Sequence, residues 1–448
     1  MNAKILIRGG FVLSMSGIGS NDGPLDVLIE NGLIAAIGPS IPPGDAAVIE
    51  AEGCIVMPGL IDSHRHLWYT ALRAEGMDHA LGDLAKGLWP KVGGNITSDD
   101  MYCATRAGIV DALNMGITTV LDHCHAINTD AHADRAIDAH LELPGRALFA
   151  YGASIAQKMT ELSGGTPSTD WSHAREIQER LKGSRRIALA LALQGPVASG
   201  RSGFEHDLGT ARDMGVPITA HIAPAAGGPP NREIRCLCEW GLLGPDMHFS
   251  HCVGCSDSDL AELHECGVQV TVTPMAELFL GMGMPPLTRM HRAGLRPAVG
   301  ADAIVASSGD LFEEARAGLM AARCFATGEV IEGGAAVSSG EEMGMTTMDA
   351  IASITSRASA AVFMSDSIGT LEIGKKADVI VVSDRDLDPA TVEEAASLLI
   401  GSAAASDVNA VVVDGVVVKD RGQMIGIDTR SICQELAKTR RRMKAYYS

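Results

Sequence analysis

Eight short apolar runs, separated by longer helical stretches, set the strongest limit on how this chain can fold. Each run ends in polar residues, as buried parallel strands commonly do. The runs are GLIDSHRH, GITTVLDHCH, GRALFAYGAS, RIALALALQG, VPITAHIA, DMHFSHC, VQVTVTP and RPAVGADA. Eight β–α units predict a (β/α)8 TIM barrel of the α/β class, whose functional residues lie at the carboxyl ends of the strands.

Strand-like segments flank the predicted barrel on both sides. The first 56 residues contain several short apolar runs, and the Asn-Gly pair in IENGLI is typical of a type I′ hairpin turn. Strand patterns return over residues 372–426, before a terminal helix. We therefore expect a barrel over residues 57–371. Residues 1–56 and 372–448 would together form a small composite β-sandwich domain.

Charge and composition exclude several classes of partner. The net charge of −19 disfavours nucleic acid and anionic membranes, and the basic stretch KTRRRMKAYYS is short enough to be a solvated helix end. The first residues, MNAKILIRGG, do not resemble a secretion signal, and no run reaches the roughly 18 apolar residues of a membrane span. Ten cysteines in 448 residues are typical of reduced thiols rather than of a disulfide framework. We expect a cytoplasmic protein with a small-molecule substrate.

Histidines recur at the ends of the predicted strands. His64 and His66 are two positions apart, so on a strand both side chains face the same side. Imidazole is the commonest metal ligand, and three His with one carboxylate and a position left for water is typical of a catalytic metal site. The further polar residues at strand ends are His123, His125, Gln194, His221, His248, His251 and Asp302.

MPGLIDSHRH, followed in order by ITAHIA, HFSHC and VGADA, resembles the amidohydrolase superfamily, and within it the cytosine deaminase and triazine hydrolase (chlorohydrolase-like) group. The resemblance extends over nearly the whole chain, both flanking segments included. It implies a metal-dependent hydrolase of carbon–nitrogen bonds other than peptide bonds. It also implies a homodimer.

The same resemblance assigns roles to individual residues. His64, His66, His221 and Asp302 would bind one divalent metal, with Zn²⁺ as the first expectation and Fe²⁺ or Mn²⁺ as alternatives. His251 would hydrogen-bond the attacking water or the developing oxyanion, and Asp302 would take the proton of the water. Members with two metals carry a lysine where this chain has Gln194, which favours a single ion.

One position departs from the pattern of this group. Its deaminases carry a Glu three residues after the histidine that matches His221, and this Glu delivers a proton to the substrate ring. HIAP places Pro224 there, and proline has no proton to give. Hydrolysis of an amide, carbamate, urea or lactam bond in a small molecule, cyclic and aromatic ones included, is therefore the simpler expectation. A deaminase with a relocated acid and a non-catalytic scaffold are alternatives, and the intact ligand set argues against the scaffold.

Several residues are candidates for substrate binding. Glu277 follows a strand and lies where relatives carry a polar substrate-binding residue, so it is the candidate replacement for the missing acid. Trp68 and Trp89 follow the first strand and could stack on a flat substrate, although packing under a loop is the commoner fate of tryptophan. The remaining candidates are His123, His125 and Gln194, and for the two histidines a place in the core is an equal alternative.

Two competing interpretations concern neighbouring residues. His248 lies on the same predicted strand as His251 and competes with it for the role, but the Cys that follows His251 matches relatives and favours His251 as the catalytic group. The second is a zinc knuckle built from Cys236, Cys238, Cys252 and Cys255. The first two of these cysteines lie in an apparent helix, where residues i and i+2 face apart, so this interpretation is the weaker one.

Overall fold

The computed structural model of this chain describes residues 4–17, 21–162, 169–226, 231–340, 343–383 and 388–447. Its strands are β1 (Ile5–Val12), β2 (Gly23–Glu30), β3 (Leu33–Gly38), β4 (Ala47–Glu50), β5 (Cys54–Pro58), β6 (Leu60–Arg65), β7 (Ile117–Cys124), β8 (Arg146–Gly152), β9 (Ile187–Ala192), β10 (Ile218–Ile222), β11 (Met247–His251), β12 (Gln269–Val272), β13 (Ala298–Val299), β14 (Val379–Ser383), β15 (Val408–Val413), β16 (Val416–Asp420) and β17 (Gln423–Met424). They form two sheets.

The helices lie mainly between the barrel strands and after the last of them. They are α1 (Leu81–Asp83), α2 (Ser98–Asn114), α3 (Asp130–Glu142), α4 (Ile155–Leu162), α5 (Ser172–Arg180), α6 (Pro196–Met214), α7 (Glu233–Trp240), α8 (Asp257–Glu265), α9 (Pro274–Phe279), α10 (Leu287–Arg292), α11 (Leu311–Glu332), α12 (Thr347–Ser353), α13 (Ser356–Ala361), α14 (Val392–Ser402) and α15 (Thr429–Tyr447). Tighter 3₁₀ turns lie at Leu67–Leu72 and Ala405–Asp407, and a π-helical stretch lies at Leu84–Gly93. None of the described helices has the length and apolar character needed to cross a membrane.

Strands β6 to β13 form one parallel sheet in chain order, and a bridge between Arg65 and Asp302 brings its first and last strands together. These are the eight strands that the sequence predicts, so the barrel is confirmed. Every residue of β7 and β8 is buried, as expected for strands covered by helices on one side and by the barrel interior on the other. All eight carboxyl ends therefore meet at one end of the barrel.

The second sheet joins the two ends of the chain, because β5 pairs with β14 in the antiparallel sense. It contains nine strands in one connected sheet, so the composite β domain is confirmed. Successive side chains of β14 point to opposite faces of this sheet and enter two different cores. Val379 and Val381 pack in the core of this domain, whereas Ile380 and Val382 face the main core of the barrel. One face of the sheet thus belongs to each domain.

Local sequence explains several boundaries. The predicted hairpin joins β2 to β3, and Asn31 and Gly32 both have the positive φ values, 56° and 79°, that a type I′ turn requires. At the start of α2, the Thr97 side chain accepts a hydrogen bond from the backbone N–H of Asp100, whose carboxylate accepts one in return from the N–H of Thr97. Helix α15 then packs on α2, with an ion pair of 3.0 Å between Arg106 and Glu435.

Helix α11 carries a fully buried acid near its beginning. Glu314 accepts hydrogen bonds from the Ser307 hydroxyl at 2.5 Å and from the Met275 backbone N–H at 3.0 Å. Burial raises the pKa of Glu314 to about 8, and these two donors offset that effect only in part. The protonated form can donate to Ser307 instead and keep both contacts.

Glu314 should therefore make the folded protein less stable as the pH rises. The pKa of Glu314 in the folded protein lies above its ordinary value of 4.5. The stability that this side chain contributes is therefore fully present below pH 4.5 and is lost as the pH rises toward 8. Glu314→Gln reproduces the shape and hydrogen bonds of the protonated acid. We expect urea unfolding to show a gain in the free energy of unfolding, on the order of 2 kcal/mol relative to wild type, at pH 9 but little gain at pH 5.

The exposed Glu332 at the end of α11 provides a matched control, because Glu332→Gln changes the same charge without burial. A Glu314→Gln variant whose stability follows that of wild type in parallel from pH 5 to pH 9 would show that the buried carboxyl does not titrate in this range.

Candidate metal centre

Four of the predicted ligands converge at the carboxyl ends of the barrel strands. The Nε2 atoms of His64 and His66 lie 3.3 and 3.2 Å from Oδ1 of Asp302. His221 on β10 brings its Nε2 to 3.2 Å from Nε2 of His66. Two ligands that are each about 2.1 Å from one metal ion stand about 3.0–3.4 Å apart at the usual coordination angles. The separations at this site therefore match those of atoms that share a cation.

The hydrogen bonds of His64 and His66 occupy one ring nitrogen of each and leave the other facing the centre. Nδ1 of His66 lies 2.6 Å from the carbonyl oxygen of His123, which can only accept, so this nitrogen carries the proton. Nδ1 of His64 pairs with the Ser250 hydroxyl at 2.8 Å. Burial lowers the pKa of His64 to about 4, so the ring is neutral at pH 7, and its buried Nε2 has no hydrogen-bond partner among the described residues.

Nε2 of His66, whose proton is on Nδ1, and the unpartnered Nε2 of His64 therefore face a carboxylate oxygen in a buried site. Lone pairs of nitrogen and oxygen repel one another unless a cation lies between them. This donor set of neutral imidazoles and one carboxylate fits a divalent metal ion.

His251, at the end of β11, is the fifth group at this centre. One potential ligand atom from each of His64, His221, His251 and Asp302 lies within 4.8 Å of the others. Nδ1 of His251 contacts Glu277 Oε1 and the Thr273 hydroxyl, each at 3.2 Å, which leaves Nε2 for the centre. Burial alone would lower the pKa of His251, but the hydrogen bond to Glu277 and the charges of Asp302 and Glu277 raise it above its ordinary value.

Both residues predicted to be catalytic have strained backbones. His251 has a φ of 77° and Asp302 a φ of 54°, in the left-handed region that side chains with a Cβ rarely adopt. Such strain costs of order 1–3 kcal/mol per residue and clusters at functional sites. Asp302 is held there from both sides, because its N–H donates to the His64 carbonyl at 2.8 Å and its carbonyl accepts from the His66 N–H at 3.1 Å.

His248 has a different environment from His251. It lies inside the barrel, where its two ring nitrogens contact the hydroxyls of Thr219 and Thr271 at 2.8 and 2.7 Å. Burial lowers the pKa of His248 to about 3. With both nitrogens occupied, His248 has none left for the centre, which favours His251 for the predicted role.

A cavity of about 520 Å³ opens above the centre. Its described lining consists of His66, Tyr69, Leu81, Leu84, Trp89, His125, Lys158, His221, Pro224, His251, Leu280, Met282, Asp302 and Ala303. Pro224 thus forms part of the wall, at the position where the deaminases of this group were expected to carry their acid. Among the described lining residues, Asp302 supplies the only carboxylate.

The predicted substrate-binding residues separate into different places. Trp89 and His125 line the cavity, whereas Trp68 is fully buried and stacks on Tyr69 with ring centroids 3.9 Å apart. Glu277 is also fully buried and lies outside the described lining, against the Nδ1 side of His251.

Gln194 and His123 lie in a smaller space beside the first, which we call the side cavity. Its described lining is His123, His125, Ala153, Lys158, Ala192, Leu193, Gln194, Gly195 and His221.

Two polar lining residues, Tyr69 and Lys158, do not follow from the sequence pattern of polar residues at strand ends. Tyr69 follows His66 in the 3₁₀ turn after β6, and its hydroxyl accepts a hydrogen bond from Trp89 Nε1 at 2.5 Å. Lys158 lies on α4, the helix that follows β8. Because barrel sites are built from the segments after the strands, a lysine within one turn of the start of such a helix is a signal that could have found it.

The cysteine interpretation finds no support in the described residues. None of the ten cysteines forms a disulfide, and none belongs to the cluster of metal-ligand type found in the described part of the chain. Cys236 and Cys238 lie on α7, while Cys252 and Cys255 are buried beyond β11.

Comparison with known proteins gives consistent relatives. A 5-methylthioadenosine/S-adenosylhomocysteine deaminase from Symbiobacterium thermophilum is 30% identical over 436 residues, which cover 93% of each chain. A 5′-deoxyadenosine deaminase from Methanosarcina mazei is 25% identical over 448 residues, or 97% of each chain. The chain therefore aligns with these relatives over almost its full length.

Solved structures share the fold. An adenosine deaminase from Xanthomonas campestris with bound zinc superposes with a TM-score of 0.83 at 21% identity, over 99% of both chains. The zinc complex of atrazine chlorohydrolase from Arthrobacter aurescens gives a TM-score of 0.81 at 22% identity, over 97% of this chain and all of that one. The sequence model of the amidohydrolase family matches residues 55–418. With the barrel, the metal centre and this match in agreement, the chain belongs to the amidohydrolase family of carbon–nitrogen bond hydrolases.

Proposed function

We propose that this protein hydrolyses an amide-type carbon–nitrogen bond, in an amide, carbamate, urea or lactam, of a small flat molecule. The observation that carries the proposal is the composition of the cavity wall. Pro224 stands where a deaminase acid was expected, and Asp302 is the only carboxylate of the described lining. The described lining therefore contains one carboxylate that can transfer a proton, whereas the deaminases of this group were expected to use two.

One carboxylate suffices for amide-type hydrolysis. Asp302 accepts the proton of the attacking water and returns it to the leaving nitrogen, so a single group serves both steps. Deamination of an aromatic ring also requires a proton on a ring nitrogen, which a second acid normally supplies. The described lining contains no such second acid.

The metal is assigned to His64, His66, His221 and Asp302, with one ion per chain. Zinc is the proposed ion, because it prefers neutral imidazole and carboxylate ligands and because zinc is bound in the two structural neighbours. When bound, such an ion lowers the pKa of water toward 7 and polarises the bond to be cleaved. Gln194, at the position of the lysine of two-metal members, supports the single ion.

His251 is assigned to the oxygen that becomes negative during the reaction. Its Nδ1 is fixed by Glu277 and Thr273, and the raised pKa of His251 favours the imidazolium form, whose Nε2–H donates a hydrogen bond toward the cavity. Preorganised donors of this kind stabilise developing charge strongly in a site that excludes water. Glu277 acts through His251 as a positioning residue in this proposal.

The walls of the main cavity favour a flat substrate. Trp89 and Tyr69 are tied together by a hydrogen bond and present aromatic surface, while Leu81, Leu84 and Met282 add apolar surface. Flat groups stack well on such walls.

A second candidate is deamination of an adenosine derivative with a relocated acid. It is favoured by the relatives, since those from Symbiobacterium thermophilum and Methanosarcina mazei are both named as deaminases of adenosine derivatives.

A substrate panel separates the two candidates. We expect the zinc-loaded enzyme to hydrolyse aryl amides, ureas or lactams and to release no ammonia from 5′-deoxyadenosine, because Pro224 cannot protonate the ring. Chromatography and a coupled ammonia assay measure the two reactions. Ammonia released from 5′-deoxyadenosine faster than any amide is cleaved would establish the deaminase instead.

Loss of one ligand should remove the metal. We expect wild type to contain about one zinc per chain. His64→Ala and His66→Ala should each contain less than about a tenth of that amount, because a site of three histidines and one carboxylate loses most of its metal affinity when one ligand is removed. Elemental analysis after dialysis measures the content. His206→Ala, which alters an exposed histidine on α6, should keep the full content. A fully loaded His66→Ala protein would exclude His66 as a ligand.

Removing the charge behind His251 should slow turnover without releasing metal. For Glu277→Gln we expect kcat to fall about 10- to 100-fold while KM changes little, as for other residues that orient a group at a metal site. Steady-state kinetics and elemental analysis provide the two readouts. Glu265→Gln, at an exposed position on α8, is the control. An unchanged kcat in Glu277→Gln would remove Glu277 from the catalytic account.

The setting of the enzyme is also proposed. Ten cysteines that form no disulfide, four of them buried, favour a reducing compartment such as the cytoplasm. A homodimer stays a prediction from the family, and light scattering of the purified chain tests it.

A further inference from the structure

The side cavity contains polar groups that the proposed hydrolysis does not use. It shares His125, Lys158 and His221 with the main cavity, so it opens directly beside the metal centre. The ring centroids of His125 and His221 are 6.1 Å apart. A group seated in the side cavity would therefore lie within a few bonds of the bond to be cleaved.

Gln194 forms the end of this space with an amide group that has no partner. The residue is 7% exposed, and neither Nε2 nor Oε1 has a hydrogen-bond partner among the described residues. Buried amide groups are almost always hydrogen-bonded in folded proteins. The amide of Gln194 thus offers two donors and one acceptor to a ligand.

His125 adds a ring nitrogen that is open to a ligand. Its Nδ1 lies 2.8 Å from Nδ1 of His66, whose single proton is already directed to the carbonyl oxygen of His123. Nε2 of His125 has no hydrogen-bond partner among the described residues. An imidazole nitrogen donates or accepts according to the tautomer, so Nε2 of His125 can donate to a ligand.

Lys158 gives the side cavity its charge. Its ammonium group lies 5.7 Å from the ring centroid of Trp89, and no described carboxylate is within ion-pair distance of it. This is unusual in a chain with 55 acidic and 36 basic residues. The single carboxylate in the described lining of both cavities is Asp302, which already faces His64 and His66. Negative charge is therefore missing beside Lys158.

We propose that the side cavity binds a carboxylate of the substrate. Lys158 pairs with this carboxylate, and the amide N–H of Gln194 and Nε2–H of His125 donate to its oxygens. Oε1 of Gln194 accepts an N–H of the substrate. The substrate class is thus an amide or ureide with a carboxylate a few bonds from the scissile bond, as in N-acylated amino acids. This inference rests on the proposed amide-type hydrolysis and narrows its substrate.

A pair of probes that differ only in charge tests the inference. N-benzoylglycine carries the carboxylate, and N-benzoylglycinamide is its neutral counterpart. We expect the zinc-loaded full-length enzyme to bind the acid about tenfold or more tightly than the amide in calorimetry, as a charge-assisted contact in a water-poor site should give. Lys158→Met, which keeps most of the side-chain length, should reduce this preference to less than about twofold.

Lys182→Met provides the matched control, because Lys182 is exposed on the surface and pairs with Glu179. It should keep the wild-type preference. Gln194→Glu is a second variant that keeps the side-chain shape, and its added negative charge should also abolish the preference for the acid. Where turnover is measurable, both changes should raise KM more than they lower kcat.

Three outcomes are decisive. Equal binding of the two probes by wild type would overturn the inference. A preference that survives in Lys158→Met would also overturn it, since the metal centre would then be holding the carboxylate. If the preference is present in wild type and lost in both variants while neither probe is hydrolysed, the side cavity binds carboxylates as inferred, and the proposed hydrolysis fails for this substrate class.

Discussion

The organisation of this protein depends on one buried arrangement, in which the Nε2 atoms of His64 and His66 face the carboxylate of Asp302 at 3.3 and 3.2 Å. Without a cation these atoms would repel one another. With a cation they bind the first strand of the barrel to the segment after the last one. The same residues also close the barrel through backbone hydrogen bonds between Asp302 and the two histidines. Barrel closure and metal binding therefore depend on each other.

The site divides the work among groups whose surroundings differ. The hydrogen bonds of their Nδ1 atoms orient His64 and His66 so that Nε2 of each faces the centre. His251 is held by Glu277, while both ring nitrogens of His248, three residues earlier on the same strand, are hydrogen-bonded to threonines inside the barrel. Of the two histidines on this strand, only His251 therefore has a ring nitrogen left for the cavity.

Much of the fold and the core of the centre could be predicted from the sequence. The eight strands and the hairpin at Asn31 and Gly32 follow from local patterns, and the spacing of His64 and His66 indicates a shared face. The environments of individual side chains could not be predicted. Trp68 and Trp89 both follow the first barrel strand, and the sequence does not distinguish them. In the structure, however, only Trp89 lines the cavity. Tyr69 and Lys158 reach the site from helical segments, where their direction depends on packing rather than on strand periodicity.

The central claim is that His64, His66, His221 and Asp302 together bind one divalent metal ion. Anomalous scattering at the zinc edge from crystals of the zinc-loaded enzyme tests it most directly. The account predicts a single peak per chain, about 2.1 Å from Nε2 of each histidine and from one oxygen of Asp302. A peak at the cysteines, a peak bound by His251 in place of His66, or a second peak of equal height beside Gln194 would contradict it.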